Sequence, residues 1–111
     1  MAIKKDYVSS LLEFLDNSPC NFLAVDSVKK ILNANGFKEK KIDDELTAEA
    51  GEKFYFTKND SAIFAVQVGK KKPADTGFKI IAAHSDSPCF RITPASEIPG
   101  EGGILRLNTE V

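Results

Sequence analysis

What this sequence most lacks is a second histidine. His84 stands alone in 111 residues, and there is no His-Glu-x-x-His pair. A zinc centre takes three or four protein ligands, so one histidine and its neighbouring aspartate cannot complete one. The two cysteines, Cys20 and Cys89, lie far apart with no Cys-x-x-Cys spacing, which excludes a zinc knuckle. They read as free thiols of a reducing cytoplasm. The N-terminus, Met1-Ala2-Ile3-Lys4-Lys5-Asp6, has no apolar segment behind its lysines and therefore no secretory signal. No apolar run approaches the ~20 residues that span a bilayer. Charge of either sign is not in excess: the net value of −1 excludes a nucleic-acid binder that works by phosphate neutralisation. Gly100, Gly102 and Gly103 are followed by no helix pattern, so phosphate-cradle fingerprints fail. Ser85 and Ser87 lie in no G-x-S-x-G elbow, which leaves serine hydrolase chemistry without support.

What is present is an ordinary globular composition, with 42% apolar and 28% charged residues, in a length that suits one domain. Lys5 to Asp16 is an amphipathic helix pattern, with Tyr7, Val8, Leu11, Leu12, Phe14 and Leu15 at spacings of three and four, ended by Asn17-Ser18-Pro19. A second helix is predicted from Phe22 to Asn33, with Asn35-Gly36 as its left-handed cap and Phe37 folding back onto the helix pair. Lys38 to Glu52 reads as loop. Phe54–Lys58 and Ser61–Val68 are strands joined at Asn59-Asp60, a hairpin. Gly69 to Gly77 is a lysine-rich loop. Phe78 to Ala83 is a nearly continuous apolar run, the pattern of a strand buried on both faces. A further strand is expected over Cys89–Thr93, then a turn-rich excursion from Pro94 to Gly103, then a period-two strand from Ile104 to Val111. Helices first and strands after imply an α/β fold: N-terminal helices packed on a mixed β-sheet that the chain leaves incomplete. Ending inside a strand points to truncation.

The chemistry concentrates at Ile80-Ile81-Ala82-Ala83-His84-Ser85-Asp86-Ser87-Pro88, where an apolar strand delivers the histidine to the mouth of a sheet. In extended backbone, side chains two apart point the same way. Asp86 could then hold the His84 imidazole in one tautomer and leave its other nitrogen for a metal. The same pair also fits a structural histidine at a turn, with Asp86 bonding nearby amides, and spacing alone leaves both open. The carboxylates Asp75, Glu97, Glu101 and Glu110 have no diagnostic spacing and read as solvated charges, as do Lys70, Lys71 and Lys72.

The longer run Gly77-Phe78-Lys79-Ile80-Ile81-Ala82-Ala83-His84-Ser85-Asp86-Ser87-Pro88-Cys89-Phe90-Arg91 resembles the first metal-site motif of the aspartyl aminopeptidase family of zinc metallopeptidases, approximately A-H-[ST]-D-S-P-C-[LF]-R. Three further segments agree in order. Ser18-Pro19 with Phe22 and Ala24-Val25 resembles an early S-P-x-x-F-x-A-V segment, although Leu23 stands where many members have histidine. Lys53–Asn59 resembles a K-Y-F-x-T-R-N hairpin, and Leu105–Val111 resembles the strand before a tyrosine-glycine-glycine segment.

The resemblance implies the N-terminal part, residues 1–111, of the catalytic domain of a cytoplasmic two-metal aminopeptidase. Such an enzyme hydrolyses N-terminal, often acidic, residues from peptides, with no nucleic-acid or membrane partner, and works as a homo-oligomer. It implies His84 as a zinc ligand and Asp86 as the catalytic residue that orients it. The general-base glutamate, the remaining ligands and an inserted dimerisation domain are expected beyond Val111, which would leave the 111 residues inactive on their own. Metal identity is open, since one ligand does not select among zinc, manganese and cobalt. Two alternatives remain: a non-enzymatic interaction module that keeps the fold, and a related co-catalytic metallohydrolase with another substrate.

Overall fold

The computed structural model describes residues 3–43 and 47–111. Helix α1 spans Ile3–Asp16 and α2 spans Asn21–Ala34. The expected stop at Asn17 is realised by Asn17 N–H and Nδ2 donating to the Glu13 carbonyl at 3.1 and 2.8 Å. Helix α2 closes as its cap residues demand. Gly36 takes φ +80°, its amide donates to Asn33 O (3.1 Å), and the Phe37 amide donates to Leu32 O (3.0 Å). That paired return is the Schellman geometry, and it needs a residue without a Cβ penalty at position 36. Phe37 is half-buried, with the Lys53 ammonium 5.5 Å from its ring centre.

A three-stranded mixed sheet follows. Strand β1 (Lys38–Glu39) runs parallel to β2 (Lys53–Lys58), and β2 pairs antiparallel with β3 (Ala62–Gln67). The segment Lys38–Glu52, read as loop, thus gives up its first two residues to the sheet; its middle, 44–46, lies outside the described residues. Central β2 carries the core: Phe54 and Tyr55, on opposite faces, are both buried, Tyr55 to 1% exposure. Tyr55 Oη reaches Asn33 Oδ1 (3.1 Å), which directs that face toward α2, where Ala24 and Val25 complete the core. On the other face Lys40 Nζ sits 4.4 Å from the Phe54 ring centre, bonded to Glu52 Oε1 (2.6 Å) and to Thr47 O (2.9 Å). Glu52 also accepts the Glu49 amide, so its carboxyl is held below the ordinary glutamate range, first by Lys40. Lys29 of α2 pairs with Glu39 of β1 at 2.8 Å, which raises the lysine's pKa.

The β2–β3 reversal has one residue more than a two-residue turn. Asn59 and Asp60 both take positive φ (53° and 51°), and Ser61 N–H closes onto Lys58 O at 3.2 Å. The ladder resumes only at Lys58↔Ala62, so Ser61, read from sequence as the first strand residue, falls outside it.

Beyond β3 a single helical turn, α3 (Pro73–Thr76), interrupts the predicted lysine-rich loop. The largest departure comes next. Phe78–Ala83 pairs with no strand, and Ile81 is 100% exposed. A strand buried on both faces needs two flanking strands and two covering layers, and the described residues supply neither. The last elements are β4 (Arg91–Pro99) and β5 (Leu105–Glu110), an antiparallel pair separate from the first sheet. The predicted excursion from Pro94 to Gly103 is corrected here. β4 continues through Pro94 to Pro99 by a register shift between Ile92 and Glu97, and only Glu101–Gly103 forms the turn.

Candidate metal centre

The segment from Ala83 to Ser87 passes over the end of the helix–sheet layer. Beneath it lies a half-open cavity of about 420 Å³, floored by Phe14, Val25, Val28 and Ile63. Ser18 also lines it, and its buried Oγ has no hydrogen-bond partner. Leaving such a hydroxyl unpaired costs about 1–3 kcal/mol.

His84 and Asp86 lie together at the rim of this cavity, with side chains 82% and 80% exposed. His84 Nδ1 is 3.0 Å from Asp86 Oδ1 and 3.0 Å from the Asp86 carbonyl. Both neighbours are acceptors, so Nδ1 must carry the proton and donate. In the neutral ring this leaves the Nε2 lone pair pointing away from the carboxylate, where it has no partner among the described residues. A histidine held through one nitrogen by an acid, with the other nitrogen open to solvent, has the donor chemistry of a zinc ligand and its outer support.

The other candidates do not join it. Among the described residues no three His, Cys, Asp or Glu side chains converge. Cys20 and Cys89 are both free thiols, and Cys89 is exposed. Leu23, at the position of the family's histidine, is an exposed residue of α2. Composition and motif reading missed Ser85 as a structural residue. Its Oγ donates to the Ser61 carbonyl at 3.0 Å. Alternation offered the signal, since the residue between two outward side chains must face inward. No described helix is long and apolar enough to cross a membrane.

The described residues form a mixed α/β layer with an exposed His–Asp pair at its rim, and comparison with known proteins gives the family. Residues 14–110 match the family model described as aminopeptidase I zinc metalloprotease (M18), and the chain belongs to that family. It is 49% identical over 111 residues to a probable M18 family aminopeptidase 2 of Clostridium novyi, covering all of this chain and 26% of that protein. A protein of the same name from Clostridium acetobutylicum is 41% identical over 106 residues, 96% of this chain and 24% of that one. Among solved structures, the Ape4 and Nbr1 complex includes a chain that superposes with TM-score 0.87 at 33% identity, over 98% of this chain and 21% of that one. The Saccharomyces cerevisiae mApe1 dodecamer shares the fold, with TM-score 0.82 at 22% identity, over 96% and 25%. The chain thus spans about a quarter of the length of the relatives it matches.

Proposed function

We infer that these residues are the N-terminal part of the catalytic domain of a cytoplasmic zinc aminopeptidase that removes N-terminal residues, acidic ones first, from peptides. The observation that carries this reading is the His84–Asp86 pair: Nδ1 is engaged by the carboxylate and Nε2 is open at the rim of an M18-family fold. His84 contributes one zinc ligand. Asp86 fixes the tautomer and the plane of the ring, so that the donor nitrogen needs no reorientation when metal arrives. Zinc bound there, in a two-metal centre, supplies Lewis acidity toward the scissile carbonyl and toward water. The remaining ligands and the general base belong to the rest of the longer protein, and the 111 residues alone do not hydrolyse peptides. The dodecameric neighbour supports a homo-oligomeric whole protein.

The test uses the full-length, zinc-loaded protein and peptides that begin with aspartate, glutamate or leucine. Metal-dependent release, fastest for the acidic residues, is expected, and His84→Ala should lose both zinc and turnover. Undiminished zinc content and rate in that variant, or release of aspartate by the 111 residues alone, would overturn the assignment. A preference for leucine would overturn only the acidic specificity.

A further inference from the structure

Between the two candidate site residues sits a side chain that faces the opposite way. From Gly69 to Ile92 every residue is exposed except Ser85, which is half-buried. Its hydroxyl donates to the carbonyl of Ser61 at 3.0 Å. Among the described residues no other hydrogen bond joins the segment 78–90 to the helix–sheet layer. The acceptor is available because of the odd residue in the β2–β3 reversal. Ser61 spends its amide on the Lys58 carbonyl, stays outside the ladder, and is left with a carbonyl that no strand partner claims.

We propose that Ser85 is a positioning residue for the metal centre: its bond to Ser61 O fixes the distance and direction at which the exposed His84–Asp86 pair stands off the scaffold. The proposal rests on the reading of His84 as a zinc ligand. Asp86 sets the orientation of the imidazole relative to its own loop. It cannot set the place of that loop relative to the sheet, because Asp86 and His84 move together. Ser85 supplies that second coordinate. His84 and Asp86 are exposed while Ser85 between them is half-buried, so one three-residue stretch holds ligand, orienting acid and anchor.

The experiment compares Ser85→Ala, Ser85→Thr, Ser85→Val and His84→Ala in the full-length protein. Zinc affinity is measured by competition with a chromophoric chelator, beside kcat and KM. Thr and Val have the same shape and differ only in the hydroxyl, so their comparison isolates the bond from packing even if the alanine variant folds poorly. Loss of a group that supports a ligand typically costs 10–100-fold in metal affinity. Ser85→Ala and Ser85→Val are expected to bind zinc about tenfold more weakly and to lose kcat with KM unchanged. Ser85→Thr should retain most of the parent values. The proposal fails alone if His84→Ala loses zinc while Thr and Val behave alike, or while Ser85→Ala binds zinc as the parent does. If His84→Ala keeps its zinc, the assignment of the ligand fails and the positioning role goes with it.

Discussion

Single residues hold this chain together mostly through polar contacts at the edges of a small core. Glu52 is the clearest case with a pH dependence. Its carboxylate takes the Lys40 ammonium at 2.6 Å and the Glu49 amide at 3.0 Å, and both favour the charged form. A carboxyl whose folded pKa is depressed adds stability that is complete above the ordinary glutamate value and is lost as pH falls through the lowered one. Replacing Glu52 with Gln should therefore lower the melting temperature of the full-length protein at neutral pH, and the difference should shrink toward zero as acidification passes below the lowered pKa. A difference that stayed constant into acid would show that the carboxylate's charge is not what matters. The His84–Asp86 pair was legible at this scale because residues two apart in extended backbone share a side. Ser61 was not, because nothing in Asn59-Asp60-Ser61 announces that the ladder resumes one residue late.

At the scale of elements, sequence patterns read best where a local device ends the element. Both helices and the β2–β3 hairpin appear within a residue or two of their expected bounds, since Asn17, Gly36 and Asn59-Asp60 enforce their geometry locally. Gly36 offers a measurable instance. No atom lies within 4 Å of where its Cβ would stand, so Gly36→Ala pays only the left-handed backbone cost. About 1 kcal/mol is expected, read as a lower denaturant midpoint at unchanged slope. Gly36→Asn should cost less, because asparagine tolerates that conformation. Equal losses in the two would point to a cause other than backbone conformation. Elements set by distant partners were harder to read. β1 exists because β2 lies beside it, and Lys38–Glu39 carries no strand signal of its own. Phe78–Ala83 carries the strongest strand signal of the chain, yet stays unpaired where no neighbour is supplied.

The whole molecule is extended, 69 × 43 × 22 Å, with a radius of gyration of 19.8 Å. A compact domain of about 100 residues has a radius near 13 Å, so this chain is far from compact. Its core is the small cluster around Ala24, Val25, Phe54 and Tyr55, while Tyr7, Val8, Leu11, Leu12 and Leu15 of α1 and the whole 78–83 run are exposed. Hydrogen exchange should show this division. In the 111-residue chain the amides of Phe54–Thr57 are expected to be protected and those of Phe78–Ala83 to exchange almost freely. In the full-length protein the second group should become protected as well. Equal protection of both groups in the short chain would contradict the division.

The reversal at residues 59–61 reaches further than the hairpin it closes. Deleting Asn59 or Asp60 would leave a tight two-residue turn between Lys58 and Ala62, with Ser61 as one of its two residues and its carbonyl redirected by the new turn geometry. The imidazole would then lose its foothold although no residue from 77 to 91 had changed. A defect in chemistry could thus originate in a solvent-facing bend remote in sequence from the group that fails.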